Sequence, residues 1–281
     1  MIENQPSRTA HRVAIRRAVH QLVDQPHVFF DPLALAVIDD EAQAKLQADP
    51  RHFETTPLST YLRAFMAARS RFAEDQLAVA VANGATQYVV LGAGLDTFAY
   101  RNPFHDLRVF EVDFPATQRW KRERLAHAGI HSDGVVTFVP IDFTAETLND
   151  RLGAVLDPLS PTFFSWLGVT PYLPAATVLE TLRYIAGFPQ QSGVVFDYAI
   201  DPSQLTAAER TAFDFLAGRV RAAGEPWQGF FDPDRLAGDL KAMGFRTVED
   251  LNGPAINARY FAGRGDDLHV GALARLLWAE V

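Results

Sequence analysis

The sequence predicts an α/β fold: one seven-stranded, mostly parallel sheet with an N-terminal helical cover over residues 1–84 and a helical insertion over residues 201–229, after the fifth strand. Three observations carry this expectation. From Tyr88 onward short apolar runs alternate with longer amphipathic segments, the rhythm of βαβ units. Everything before that reads as helices alone. The stretch TAAERTAFDFLAGRVRAA then interrupts the alternation as an additional helix. With 48% hydrophobic residues in 281 and no Gly-, Ser- or Pro-rich linker, the chain reads as a single domain, 1–281, able to bury a large core.

The strands are expected at QYVVL from Gln87, LRVFEV from Leu107, VVTFVP from Val135, TFFSWL from Thr162, VVFDYA from Val194, RTVEDL from Arg246 and ALARLLWAEV from Ala272. Between them PATQRWKRERLAHA, PAATVLETLRYIA and DPDRLAGDLKAMG place apolar residues at helical spacing. Pro174 and Pro233 suit a first helical position, the second behind Asp232 as its cap. Thr206 followed by Glu209 is a capping-box pattern that starts the insertion helix. In STYLRAFMAARSRFAEDQLAVAVA, residues Leu62, Phe65, Met66, Phe72, Ala73 and Leu77 share one helical face with Arg69 in its middle, while Arg63, Arg71, Glu74 and Asp75 fall off it as solvated charges. A guanidinium directed at the core needs an anionic partner, a ligand carboxylate or a route along its stem to water.

With 34 acidic against 26 basic residues the formal charge is −8, which disfavours nucleic acid and anionic lipid as partners. The absence of cysteine removes disulfides, thiolate-bound zinc and thiol catalysis, and there is no HExxH pattern or acid cluster, so no metal is expected. No run approaches the ~18 apolar residues of a membrane span, and the N-terminus lacks the apolar region of a secretory signal. A cytoplasmic protein with no membrane partner is the expectation.

The stretch YVVLGAGLDTFAYR sets Gly92 and Gly94 directly after a strand, where backbone free of Cβ atoms can approach a ligand. The third glycine of a dinucleotide fingerprint is replaced by Thr97, which argues against a nicotinamide-dependent oxidoreductase. The next strand ends in Glu111 and Asp113, acids at the place where a ribose diol is accepted, and the third is followed by Asp142 and Phe143, an acid and an apolar neighbour suited to an adenine. Singly, each feature also fits a tight loop or a solvated strand end. Together they describe an adenosyl pocket with no pyrophosphate cradle, and so point to S-adenosylmethionine.

LGAGLDTFAYR, FEVDFPATQRWKRERL, FVPIDFT and FSWLGVTPYL, in this order and spacing, resemble the leucine carboxyl methyltransferase-like family of S-adenosylmethionine-dependent methyltransferases. The resemblance runs from about Phe29 to the C-terminus. It implies a Rossmann-like class I methyltransferase sheet and an enzyme that uses S-adenosyl-L-methionine. It also implies that Gly92 and Gly94 face the methionine and ribose, that Asp113 rather than Glu111 binds ribose, that Asp142 and Phe143 border adenine, and that Arg69 clamps the methionine carboxylate. Many members carry a glutamate after the fourth strand; Leu167 stands there in this sequence, leaving Ser165, Trp166 and Leu167 as a wall of the cofactor site.

The expected reaction is O-methylation of a small molecule at a carboxylate or a hydroxyl. A carboxylate acceptor needs no base at neutral pH, and the sequence offers no compelling one, so no catalytic residue is named. Tyr172, His27 and Arg259 are the candidates for holding the acceptor, with both additions to the sheet as candidate lids over it. Two alternatives stand beside this reading: a protein C-terminal carboxyl methyltransferase, and a non-catalytic adenosyl-ligand binding protein.

Overall fold

The computed structural model describes residues 7–142, 146–222 and 224–281. Helices come first: α1 (Arg8–Val23), α2 (Asp40–Ala48) and α3 (Pro57–Ala82). The Ser7 hydroxyl caps α1 by accepting from the Ala10 N–H, and Asp39 caps α2 through Ala42. The alternation follows with β1 (Gln87–Leu91), β2 (Arg108–Asp113), α4 (Pro115–His127), β3 (Thr137–Pro140), α5 (Leu148–Leu152), β4 (Thr162–Trp166), α6 (Ala175–Ala186) and β5 (Gly193–Asp197). The insertion is β6 (Ala199–Ile200), α7 (Ala207–Ala222) and β7 (Phe230–Phe231), its neck closed by the two-residue parallel pairing of β6 with β7. Last come α8 (Pro233–Met243), β8 (Thr247–Asn252), α9 (Gly253–Tyr260) and β9 (Arg275–Glu280).

All seven expected strands join one sheet, in the order β3-β2-β1-β4-β5-β9-β8. Only β9 runs against its neighbours β5 and β8. Tyr88, Val90, Val109, Phe163 and Val195 pack with Phe72 and Leu77 of α3 on one face, while Val89, Leu91, Phe110, Phe164 and Phe196 meet Leu182 of α6 and Leu240 of α8 on the other. Burial on both faces is why these strands read as unbroken apolar runs. A third cluster joins Ala14, Ile15, Ala18 and Val19 of α1 to Val37, Ile38, Leu46 and Leu125.

Local chemistry follows the sequence with three corrections. Asp232 caps α8 by accepting from the Arg235 N–H, with Pro233 in the first turn, and Thr206 and Glu209 bond reciprocally at the start of α7. Pro174, however, stands at the cap position of α6, one residue before the helix. Arg63 is not solvated: it is 2% exposed, its Nε 2.8 Å from Asp24 Oδ2, and it is also paired with Glu54. Glu74 is likewise drawn in, paired with Arg101, and burial raises its carboxyl. The reason is that α3 lies between the sheet and α1, so its second face is covered too. Arg71 and Asp75 do stay on the surface, 2.7 Å apart.

Candidate functional site

The strand order reverses between β1 and β4, and a cavity of about 320 Å³ opens there at the carboxyl ends of the strands. Its floor is the turn after β1. Gly92 and Gly94 adopt φ of +68° and +48°, left-handed values that side chains resist. A Cβ on Gly92 would stand 2.3 Å from Val169 Cγ2. Gly92→Ala is therefore expected to lose roughly 1–2 kcal/mol to the left-handed backbone alone, with a further loss from displacing Val169; a urea midpoint equal to wild type would contradict it.

Asp113 lines the cavity at 8% exposure, its Oδ2 accepting from the Gly94 N–H at 2.5 Å and its Oδ1 from the Phe114 N–H at 2.6 Å. Burial raises its carboxyl and these two backbone bonds oppose the rise. Glu111, two residues earlier and one step deeper in the sheet, is outside the lining and meets Lys121 Nζ at 2.5 Å, both side chains buried. Burial pushes Glu111 up to about 7, with Lys121 pulling the other way. The native protein thus holds a proton that the unfolded chain releases above its ordinary 4.5, so this group makes stability fall as pH rises from about 4.5 through about 7. Glu111→Gln should flatten that limb in urea midpoints taken across the window; an unchanged slope would remove Glu111 as its source.

Asp142, Ser165 and Leu167 also line the cavity. The Ser165 hydroxyl lies 2.8 Å from the Tyr88 hydroxyl. Trp166 does not join them: side chains alternate along β4, and its ring is buried in the opposite core. Phe143 lies outside the described residues.

Arg69 enters from α3, 5% exposed, and donates from Nη1 to Asp197 Oδ2 at 2.8 Å. Its guanidinium rests on Gly168, where a Cβ would come within 2.8 Å of Nη1, and the Gly168 N–H donates to Asp197 Oδ1 at 2.5 Å. The anionic partner required on the apolar stripe is thus partly internal: Asp197, at the end of β5.

Tyr172 lines the cavity, and burial raises its phenol. His27 and Arg259 are not in the lining, which corrects their expected place at the acceptor. His27 Nε2 is 3.0 Å from the Gln21 carbonyl in the cover, and Arg259 pairs with Glu249 at 2.5 Å over the Phe72 ring.

Sequence reasoning missed Arg17 and Glu225. Arg17 donates to the Leu95 carbonyl at 3.2 Å and to Thr97 Oγ1 at 3.0 Å, and pairs with Asp31; Thr97 in turn donates to Asp31 at 2.8 Å. Thr97, at the third glycine place, thereby ties α1 to the turn. Over the cavity Glu225 accepts from the Ser7 and Thr9 hydroxyls, so α1 and the segment after α7 meet as a roof.

Comparison with known proteins shows the family and the fold. The leucine carboxyl methyltransferase family matches residues 10–186. YktD of Bacillus subtilis (strain 168), whose name places it among the S-adenosyl-L-methionine-dependent methyltransferases, is 32% identical over 292 aligned residues, covering 95% of each chain. A Saccharopolyspora erythraea protein named in the same way is 33% identical over 184 residues, 62% of each chain. A crystal structure from Thermobifida fusca YX, described as a methyltransferase, shares the fold with a TM-score of 0.59 at 16% identity, over 99% of this chain and 96% of that one.

Proposed function

Because the chain belongs to the leucine carboxyl methyltransferase family and is an S-adenosylmethionine-dependent methyltransferase, we propose that it methylates an oxygen of a small molecule, a carboxylate ahead of a hydroxyl. The cavity residues fit the cofactor. Left-handed glycines leave the turn bare of side chains, acids at Asp113 and Asp142 stand at two strand ends, and Arg69 has a single hydrogen bond to a described residue, so donors of its fork remain for a carboxylate. In this reading Asp113 takes the ribose, Asp142 the adenine edge, Arg69 the methionine carboxylate, and Ser165 and Leu167 wall the site. S-adenosylmethionine supplies a sulfonium methyl group that is transferred by in-line displacement. What the chain contributes is position, since holding acceptor and methyl in line is the largest requirement of such a transfer. Tyr172, in the cavity lining, orients the acceptor from the roof side. Calorimetry is expected to give S-adenosylhomocysteine a markedly tighter binding than NAD or ATP; equal binding of NAD would count against the cofactor placement.

The observation that carries the small-molecule reading is the roof. Ser7 and Thr9 meet Glu225 across the cavity, a crossing that narrows the way in for a protein tail. The test supplies methyl-labelled cofactor with a panel of small acids, phenols and alcohols, and separately with peptides ending in a free leucine carboxylate. Base-labile label in a small acid is expected. Label in the peptides alone would overturn the reading in favour of protein carboxyl methylation.

A further inference from the structure

Among the described residues three buried arginines each have a carboxylate partner: Arg17 with Asp31, Arg63 with Asp24 and Arg69 with Asp197. Arg16 has none among the described residues. It follows Thr9 and Val13, both cavity-lining, along one side of α1 at helical spacing. Its Nε is shut off from solvent without a hydrogen-bond partner, and its Nη1 donates only to the Arg12 carbonyl at 3.2 Å. The charged groups that act on it most are Arg219 of α7, Arg12 and Arg69, all of its own sign, with the Tyr172 phenol as the counterweight. Burial first and then these neighbours pull its guanidinium down to about 10, which leaves it charged at neutral pH. Arg219 reaches out along α7 over the Phe215 ring, 5.9 Å from its centre. A guanidinium whose Nε is shut off from water and whose strongest charged neighbours share its sign is costly, and the cost is removed when an anion binds.

We infer that Arg16, with Arg12 and Arg219, holds a carboxylate of the methyl acceptor where α1 meets α7 beside Tyr172, so that the acceptor is an organic acid bearing an anionic group besides the oxygen that is methylated. The inference rests on the methyl-transfer reading of the cavity. It also gives α7 a use: the insertion adds the charge of Arg219 to those of two arginines of the cover, and the planar fork of each suits a carboxylate.

The test titrates succinate, phthalate and 3-hydroxybenzoate, each against its uncharged amide, into protein already saturated with S-adenosylhomocysteine, and reads binding by calorimetry. At least one acid is expected to bind about tenfold or more tighter than its amide, and Arg16→Leu to abolish that difference while leaving S-adenosylhomocysteine affinity within about twofold. Arg16→Lys should keep part of it. The leucine variant should melt no lower than wild type, because an unpaired charge has been removed. Acids bound no better than amides, a preference unchanged in Arg16→Leu, or a leucine variant that melts lower would each overturn the inference. Failure of S-adenosylhomocysteine to saturate the protein would instead count against the cofactor placement.

Discussion

Replacing Arg69 with leucine is expected to destabilise the folded protein by about 3–5 kcal/mol, the range for removing one partner of a buried ion pair. The sequence alone suggests the opposite, since leucine would complete the apolar stripe of α3. The structure reverses the sign because Asp197, itself buried, would be left without its guanidinium, holding only the Gly168 N–H. The Arg69→Leu/Asp197→Leu double variant should recover most of the lost stability, since a buried pair exchanged for apolar residues is often neutral. It should still fail to bind S-adenosylhomocysteine, because the clamp is gone. Urea midpoints of wild type, both single variants and the double variant measure the coupling. Additive losses would mean that the two side chains do not depend on each other.

Asp113→Ala is expected to cost about 1.5–3 kcal/mol in S-adenosylhomocysteine affinity, the range for hydrogen bonds to a charged group. Two effects are folded into that figure. The carboxylate is the proposed ribose acceptor, and it also receives the N–H groups of Gly94 and Phe114, so its loss loosens the turn that floors the cavity. A cofactor analogue lacking the ribose hydroxyls separates the two. Wild type should bind the analogue more weakly than S-adenosylhomocysteine, and the alanine variant should no longer distinguish them. If both proteins discriminate equally, Asp113 acts only through the turn.

The sheet was legible because its strands are buried on both faces and announce themselves as apolar runs. Gly92, Gly94, Asp113 and Asp142 were legible because strand ends in such a sheet converge, whatever the helices do. Asp197 carries the same signal, an acid closing the run VVFD at the end of the fifth strand. Arg17 and Glu225 carried no local signal. Thr97 lies 80 residues from Arg17 and Ser7 lies 218 from Glu225, and a charge in an amphipathic helix looks alike whether water or a carboxylate receives it. Arg63 was misjudged for that reason. His27 and Arg259 were chosen as polar residues in loops or helix ends, a criterion that says nothing about which side of the sheet they face. The cover also reaches the glycine turn, since Arg17 donates to the Leu95 carbonyl and Ala10 Cβ lies 3.1 Å from where a Gly94 Cβ would stand.

The bonds from Ser7 and Thr9 to Glu225 join positions 218 and 216 residues apart, the longest sequence separations of any side-chain contact of the roof. Such contacts form only after the intervening chain has condensed, because the entropy of closing so large a loop must be met first. A lone helix of 16 residues is marginal in water, so α1 has little to hold it while it waits. During synthesis it is made well before the segment that fastens it, and Ala14, Ile15, Ala18 and Val19 remain uncovered in the interval. Arg8, Arg12, Arg16 and Arg17 flank and interrupt that apolar patch, and their mutual repulsion between chains guards it against aggregation until docking. The arginines of α1 therefore act, before the fold closes, as gatekeepers of the nascent chain.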